Sequence, residues 1–244
     1  MKTIIRTLFI FFATVSSLYS QEIVQTRIPL IGETAPSFIA ESTKGKINFP
    51  ADYFAKWKII FSHPASFTPV CSTEIMELAM LQDEFVKLNT QLLVLSTDGV
   101  NSHIEWAKSL EKLSYKGKTI PKINFPLISD AGLDISKKYG MIHPNVSNTK
   151  DVRGVFVINP DNIICAMFFY PFTTGRNIDE IKRTLIALQE NDKKSTLTPA
   201  NWKPGDDVLM PSPKTKEEAD KLKNDKKFYF LDWYIMFKRS KAEE

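Results

Sequence analysis

Cysteine is close to absent from this chain. Two in 244 residues, Cys71 and Cys165, cannot form a disulfide scaffold, which exported proteins build from larger, even sets. Histidine is as sparse: His63, His103 and His143 fall at intervals that no metal motif uses, so no metal is expected. No block of one charge sign stands out. Of 32 basic residues, Lys2 and Arg6 lie within the first twenty positions, leaving 30 against 28 acidic ones. That balance excludes a nucleic-acid-binding stripe, and mixed runs such as KTKEEADKLKNDKK read as a solvated helix face. Internal repeats are lacking. Long apolar runs are lacking too: the one that follows Lys2 and Arg6 spans about ten residues, against roughly 20 for a membrane span. Small residues then lead to Ser20, the layout of a secretory signal peptide cleaved near Ser20 or Ser17. Residues 1–20 are therefore expected to direct export, to a periplasm in preference to a secretory lumen, with no stable membrane insertion.

What is present alternates. The segments 57–62, 91–97, 123–130, 153–159 and 162–171 are rich in Ile, Leu, Val and Phe and bounded by turn signals, as buried strands are. Between them, 72–89, 100–113 and 175–189 carry apolar residues at helical spacing. This order predicts an α/β layer fold. The last two strands, separated by Pro160, Asp161 and Asn162, predict an antiparallel hairpin. Residues 21–42 read as an edge hairpin or an arm. After about Gln189 the composition turns polar and proline-rich. The expected organisation is a main domain over 28–189 and a small α+β appendage over 190–244.

The chemistry concentrates in IIFSHPASFTPVCSTEI, residues 59–75. Thr68 suits an N-cap and Pro69 the first helical position. Cys71 then falls in the first turn, where free backbone N–H groups and the helix dipole favour a thiolate. Glu74, three residues on, is placed to bond the turn or to hold an arginine. Arg153 opens an apolar strand, an odd place for a charge unless it faces a site or the strand end is exposed. Cys165, among Ile, Ala and Met, reads as plain packing.

The stretch PASFTPVC, residues 64–71, resembles the peroxiredoxin signature Pro-x-x-x-Thr/Ser-x-x-Cys. The stretches FSHPASFTPVCSTEI, YPFTTGRNIDEIKR and TPANWKPGDDV resemble the peroxiredoxin-6 or 1-Cys subfamily. The resemblance implies a thioredoxin-like fold with a C-terminal appendage, and a thiol peroxidase without cofactor. Carried over residue by residue, Cys71 is the peroxidatic cysteine that becomes a sulfenic acid, and Thr68 the hydroxyl beside sulfur and peroxide. Pro64 is the shield from water and Arg153 the activating arginine. His63 flanks the pocket, and Glu74 orients the arginine. Ala65 and Ser66 replace an Arg-Asp pair often found there, and Lys56 stands where a lipase serine would be, so lipase activity is not expected. Without a second Val-Cys-Pro, the oxidised cysteine is expected to be recycled by an external thiol.

The resemblance also implies a homodimer or larger ring acting on a hydroperoxide, with the aromatic FYFLDWYIMFK covering the partner subunit. A disulfide oxidoreductase is disfavoured because Ser72, Thr73 and Glu74, not a second thiol, follow Cys71. The competing reading is an oligomeric, redox-triggered holdase or peroxide sensor.

Overall fold

The computed structural model describes residues 27–240, so the expected signal peptide lies outside the described residues. In chain order the strands are β1 (Phe38–Ser42), β2 (Gly45–Phe49), β3 (Trp57–Ser62), β4 (Thr90–Ser96), β5 (Ser114–Tyr115) and β6 (Lys118–Thr119). Then come β7 (Leu127–Ser129), β8 (Arg153–Ile158), β9 (Ile164–Tyr170), β10 (Val208–Leu209), β11 (Phe228–Asp232) and β12 (Ile235–Lys238). The helices are α1 (Pro69–Lys87), α2 (Val100–Leu110), α3 (Asp134–Lys138), α4 (Ile178–Lys194) and α5 (Lys216–Leu222).

Seven strands form one sheet in the order β2-β1-β7-β4-β3-β8-β9. β3 runs parallel to β4, and β4 to β7, while β8 and β9 are antiparallel additions. β3 is buried along its whole length because it lies between two strands and under helices on both faces. Its side chains alternate accordingly. Ile59 and Phe61 join Ile75, Leu78 and Phe85 of α1, Trp106 of α2, and Ile181 and Leu185 of α4 in one core cluster. Ile60 points to the other face, with Leu93, Phe156, Ile135 and Tyr139. This is the expected thioredoxin-like α/β fold, with β10, β11 and β12 as a separate three-stranded appendage.

Three expectations shift. The stretch 123–130 gives only the short β7, since Pro126 interrupts the run just before Leu127. The helix expected over 175–189 begins at Ile178, where the Asn177 side chain accepts from Glu180 N at 3.0 Å, and continues to Lys194. The N-terminal stretch is both an arm and a hairpin. Residues 32–35 bond Asn162 and Ile164 beside the β8–β9 turn, and β1–β2 then edges the sheet. The arm crosses so close to Gly140 (φ +60°) that a Cβ there would sit 2.7 Å from Ile28 N.

Candidate active site

Thr68 precedes α1 in extended conformation and Pro69 fills its first turn, as the sequence predicts. The Thr68 hydroxyl, however, does not cap the helix; it donates to Ala65 O at 2.9 Å and tightens the preceding loop. Cys71 follows, fully buried at 0% exposure, whereas Cys165 is only half-buried. Burial thus runs opposite to the expectation that Cys165 is the inert, buried thiol. What separates the two is the polar partner. Arg153 Nη1 lies 3.2 Å from Cys71 Sγ, whereas Cys165 has a contact of 3.4 Å to Ile163 O and burial pushes its thiol up.

The Arg153 guanidinium is held from three sides. Nη1 also donates to Glu74 Oε2 at 2.8 Å, and Nε and Nη2 donate to Phe172 O at 3.1 and 2.6 Å. A second arginine, which sequence reasoning missed, completes the network. Arg176 donates to Glu74 through its backbone N (2.8 Å), Nε (2.9 Å) and Nη2 (2.7 Å). Its Nη1 reaches Ser62 O and Gly154 O, both at 2.8 Å. Glu74 therefore joins α1 to β3, β8 and the loop before α4. Burial works to raise its carboxyl, but Arg176 first and then Arg153 hold it below the ordinary carboxylate range. Ser62 aligns the start of β8: its hydroxyl donates to Val152 O at 2.6 Å and accepts from Gly154 N at 2.8 Å.

Pro64 is buried in the loop ahead of the helix. His63, 1% exposed, packs 5.1 Å from the Trp106 ring and 6.0 Å from His103, ring centre to ring centre. Neither of its nitrogens has a hydrogen-bond partner among the described residues. Burial first, then the neighbouring His103, Arg176 and Arg153, hold it well below the ordinary imidazole range, against the opposing influence of the Ala65 backbone. His63 is thus a neutral ring. Among the described residues no three His, Cys, Asp or Glu side chains converge as metal ligands.

Asp151, two residues before Arg153, is fully buried, and neither oxygen has a hydrogen-bond partner among the described residues. Burial pushes its carboxyl up to about 8, aided by Asp130 and Asp98. The Ser136 hydroxyl opposes this but is committed to Asp130 Oδ2 at 2.6 Å. Because the folded value lies above the unfolded one, the native chain holds the extra proton, and stability falls as pH rises from about 4 to about 8. Asp151→Asn is expected to match the wild type near pH 4 and to exceed it by about 5 kcal/mol at pH 8. Urea denaturation at pH 4.5, 7 and 8.5, each a roughly chosen point across that window, checks this; a pH-independent difference would refute the assignment.

Both cysteines are free thiols in the structure. Arg153, which reaches Cys71, pairs with Tyr170 at one end of β9, and Cys165 lies toward the other end, five residues from Tyr170.

A buried thiol at the start of a helix, facing a fixed guanidinium on a thioredoxin-like sheet, defines a thiol-based redox enzyme. Comparison with known proteins narrows the class. Residues 31–167 match the AhpC/TSA family, and residues 187–225 match the C-terminal domain of 1-Cys peroxiredoxin. A peroxiredoxin of Methanosarcina mazei is 49% identical over 217 residues, covering 87% of this chain and 98% of the relative. One from Thermotoga maritima is 44% identical, covering 88% and 100%. Among solved structures, a yeast mitochondrial 1-Cys peroxiredoxin superposes with TM-score 0.75 at 36% identity, covering 86% of this chain and 99% of that one. Peroxiredoxin 6 of Arenicola marina gives TM-score 0.77 at 34% identity, covering 88% and 100%. The chain belongs to the peroxiredoxin family, in its 1-Cys branch, and is a thiol-dependent peroxidase with a single peroxidatic cysteine.

Proposed function

We propose that Cys71 is that cysteine and that Arg153, Thr68 and Pro64 act with it, supported by His63 and Glu74. The observation that carries this is the 3.2 Å approach of Arg153 Nη1 to a sulfur in the first turn of α1. The Cys71 thiolate attacks one oxygen of a hydroperoxide; the S–O bond forms as the O–O bond breaks, leaving a sulfenic acid. The departing alkoxide or hydroxide takes up a proton to become alcohol or water. Arg153 faces the negative charge as it passes from sulfur to oxygen. Thr68, bonded to Ala65 O in this state, can redirect its hydroxyl to the peroxide. Two equivalents of external thiol then return the sulfenic acid to thiol, releasing water and a disulfide. The yeast relative, whose thiol is resolved via glutathione and thioredoxin systems, supports a reductant of that class.

Intact mass spectrometry with stopped-flow peroxide consumption tests the assignment. A gain of one oxygen is expected in wild type, with turnover abolished in Cys71→Ser; turnover retained by Cys71→Ser would sink it.

Export is supported by the layout of residues 1–20, and no described helix is long and apolar enough to cross a membrane. A homodimer is supported by β9, which edges the sheet and, beyond Ile164, where the arm of residues 32–35 bonds it, has no strand partner on its second side among the described residues. Leu231, Trp233 and Tyr234, exposed where β11 turns into β12, suit contact with a partner subunit.

A further inference from the structure

Cys71 has no exposed surface. A hydroperoxide with two reacting oxygens needs a narrow approach to it, but a reducing thiol must align its own sulfur with the oxidised one, and that requires the loop of residues 64–68 or the first turn of α1 to move aside. What holds the loop in place therefore bears on the second half of the catalytic cycle.

Two contacts outside the arginine network hold it from the α2 side, and a third pins the helix beyond. Asp98 Oδ2 accepts from Ser66 N at 2.5 Å. Ser66 Oγ lies 3.0 Å from His103 Nδ1, and His103 Nε2 lies 3.2 Å from Ile128 O. A carbonyl can only accept, so the imidazole proton sits on Nε2, and Nδ1 accepts from the Ser66 hydroxyl. Beyond Cys71, Trp106 Nε1 donates to Ser72 Oγ at 3.2 Å. His103 and Trp106 are one helical step apart on α2, and Asp98 stands just ahead of it, so a single element grips the loop before the cysteine and the helix after it. Between the grips, Phe67 is 58% exposed and held at φ +58°, a conformation that a bulky residue adopts only under constraint.

We propose that Ser66, Asp98 and His103 are positioning residues that clamp the peroxidatic loop onto α2, keep the Cys71 sulfur enclosed for reaction with peroxide, and limit how often the oxidised sulfur becomes reachable by a thiol. This rests on the reading of Cys71 as the peroxidatic cysteine. His103 is suited to a steady grip: burial keeps it below the ordinary imidazole range, against the opposing influence of Asp98 and the Ile128 carbonyl. The grip is thus a neutral hydroxyl–imidazole pair.

The test separates the two half-reactions. Reduced wild type, Ser66→Ala, Ser66→Thr and Asp98→Asn are oxidised with hydrogen peroxide, and the purified sulfenic acids are then reduced with 2-nitro-5-thiobenzoate, each step followed by stopped flow. Loss of one hydrogen bond should shift the loop equilibrium by about fivefold. Reduction of Ser66→Ala should therefore run about fivefold faster than wild type, while its peroxide step does not accelerate. Ser66→Thr, which keeps the hydroxyl, should restore wild-type rates. A merely structural lesion would slow both steps. Unchanged or slower reduction in Ser66→Ala overturns the clamp; should that variant not fold, Asp98→Asn, which keeps the side-chain shape, carries the same criterion. Wild-type protein that forms no sulfenic acid would instead overturn the assignment of Cys71.

Discussion

Glu74→Ala is expected to destabilise the protein by about 3–5 kcal/mol, the cost of leaving a buried charge without its partner. Glu74 is 3% exposed, and both its oxygens are occupied by Arg153 and Arg176, themselves 2% and 7% exposed. Removing it leaves two guanidinium groups near one another in the interior. Arg176 is further confined, 5.1 Å over the Phe61 ring and bonded to carbonyls of β3 and β8, so it cannot swing out to water. The sign of the pH dependence follows from the depressed Glu74 carboxyl. Its stabilisation is fully present above the unfolded glutamate value and is lost as pH falls through the folded one. The gap between wild type and Glu74→Gln should therefore be wide at pH 7 and close in acid. Urea midpoints across that range measure it, and a gap that widens in acid would contradict the ion-pair network.

The local sequence around Cys71 made much of this site legible. A proline at the first helical position and a cysteine two residues on are short-range signals, and the backbone obeys them. The apolar runs gave the central strands because β3 and β8 are buried at every residue, leaving no alternation to misread. Arg176 was not legible. It belongs to neither strand nor helix, and its polar partners are Glu74, 102 positions away, and two backbone carbonyls of β3 and β8. The phrase GRN before an amphipathic helix carries no mark of burial. The one available signal was that Glu74, placed on an inward-facing helical position, has more acceptor sites than Arg153, shared with the sulfur, can fill. Thr68 misled in a different way: its position is that of a cap, yet its hydroxyl donates to Ala65 O and accepts no N–H from the helix start. Asp151 was equally silent, because a buried acid without partners has no sequence signature.

Arg153→Met is expected to lower the second-order rate of peroxide consumption about a thousandfold and Arg153→Lys about a hundredfold, in line with the loss of a preorganised donor facing developing charge. The geometry gives the reason for ranking them. Nη1 is shared between Cys71 Sγ and Glu74, while Nε and Nη2 converge on Phe172 O. Four of the five guanidinium hydrogens are thereby aimed, and one on Nη2 has no partner among the described residues. On the proposed mechanism, that hydrogen is the donor left for a peroxide oxygen. A lysine ammonium can sit near the sulfur as a point charge, but it cannot hold Glu74, Phe172 and the sulfur in one plane. Methionine supplies no donor at all. Because Glu74 keeps Arg176 in both variants, folding should survive, and urea midpoints should show a smaller loss than for Glu74→Ala. Stopped-flow oxidation at matched peroxide concentrations reads the rate, and an Arg153→Met enzyme within tenfold of wild type, roughly 1.4 kcal/mol of barrier, would remove Arg153 from the chemistry.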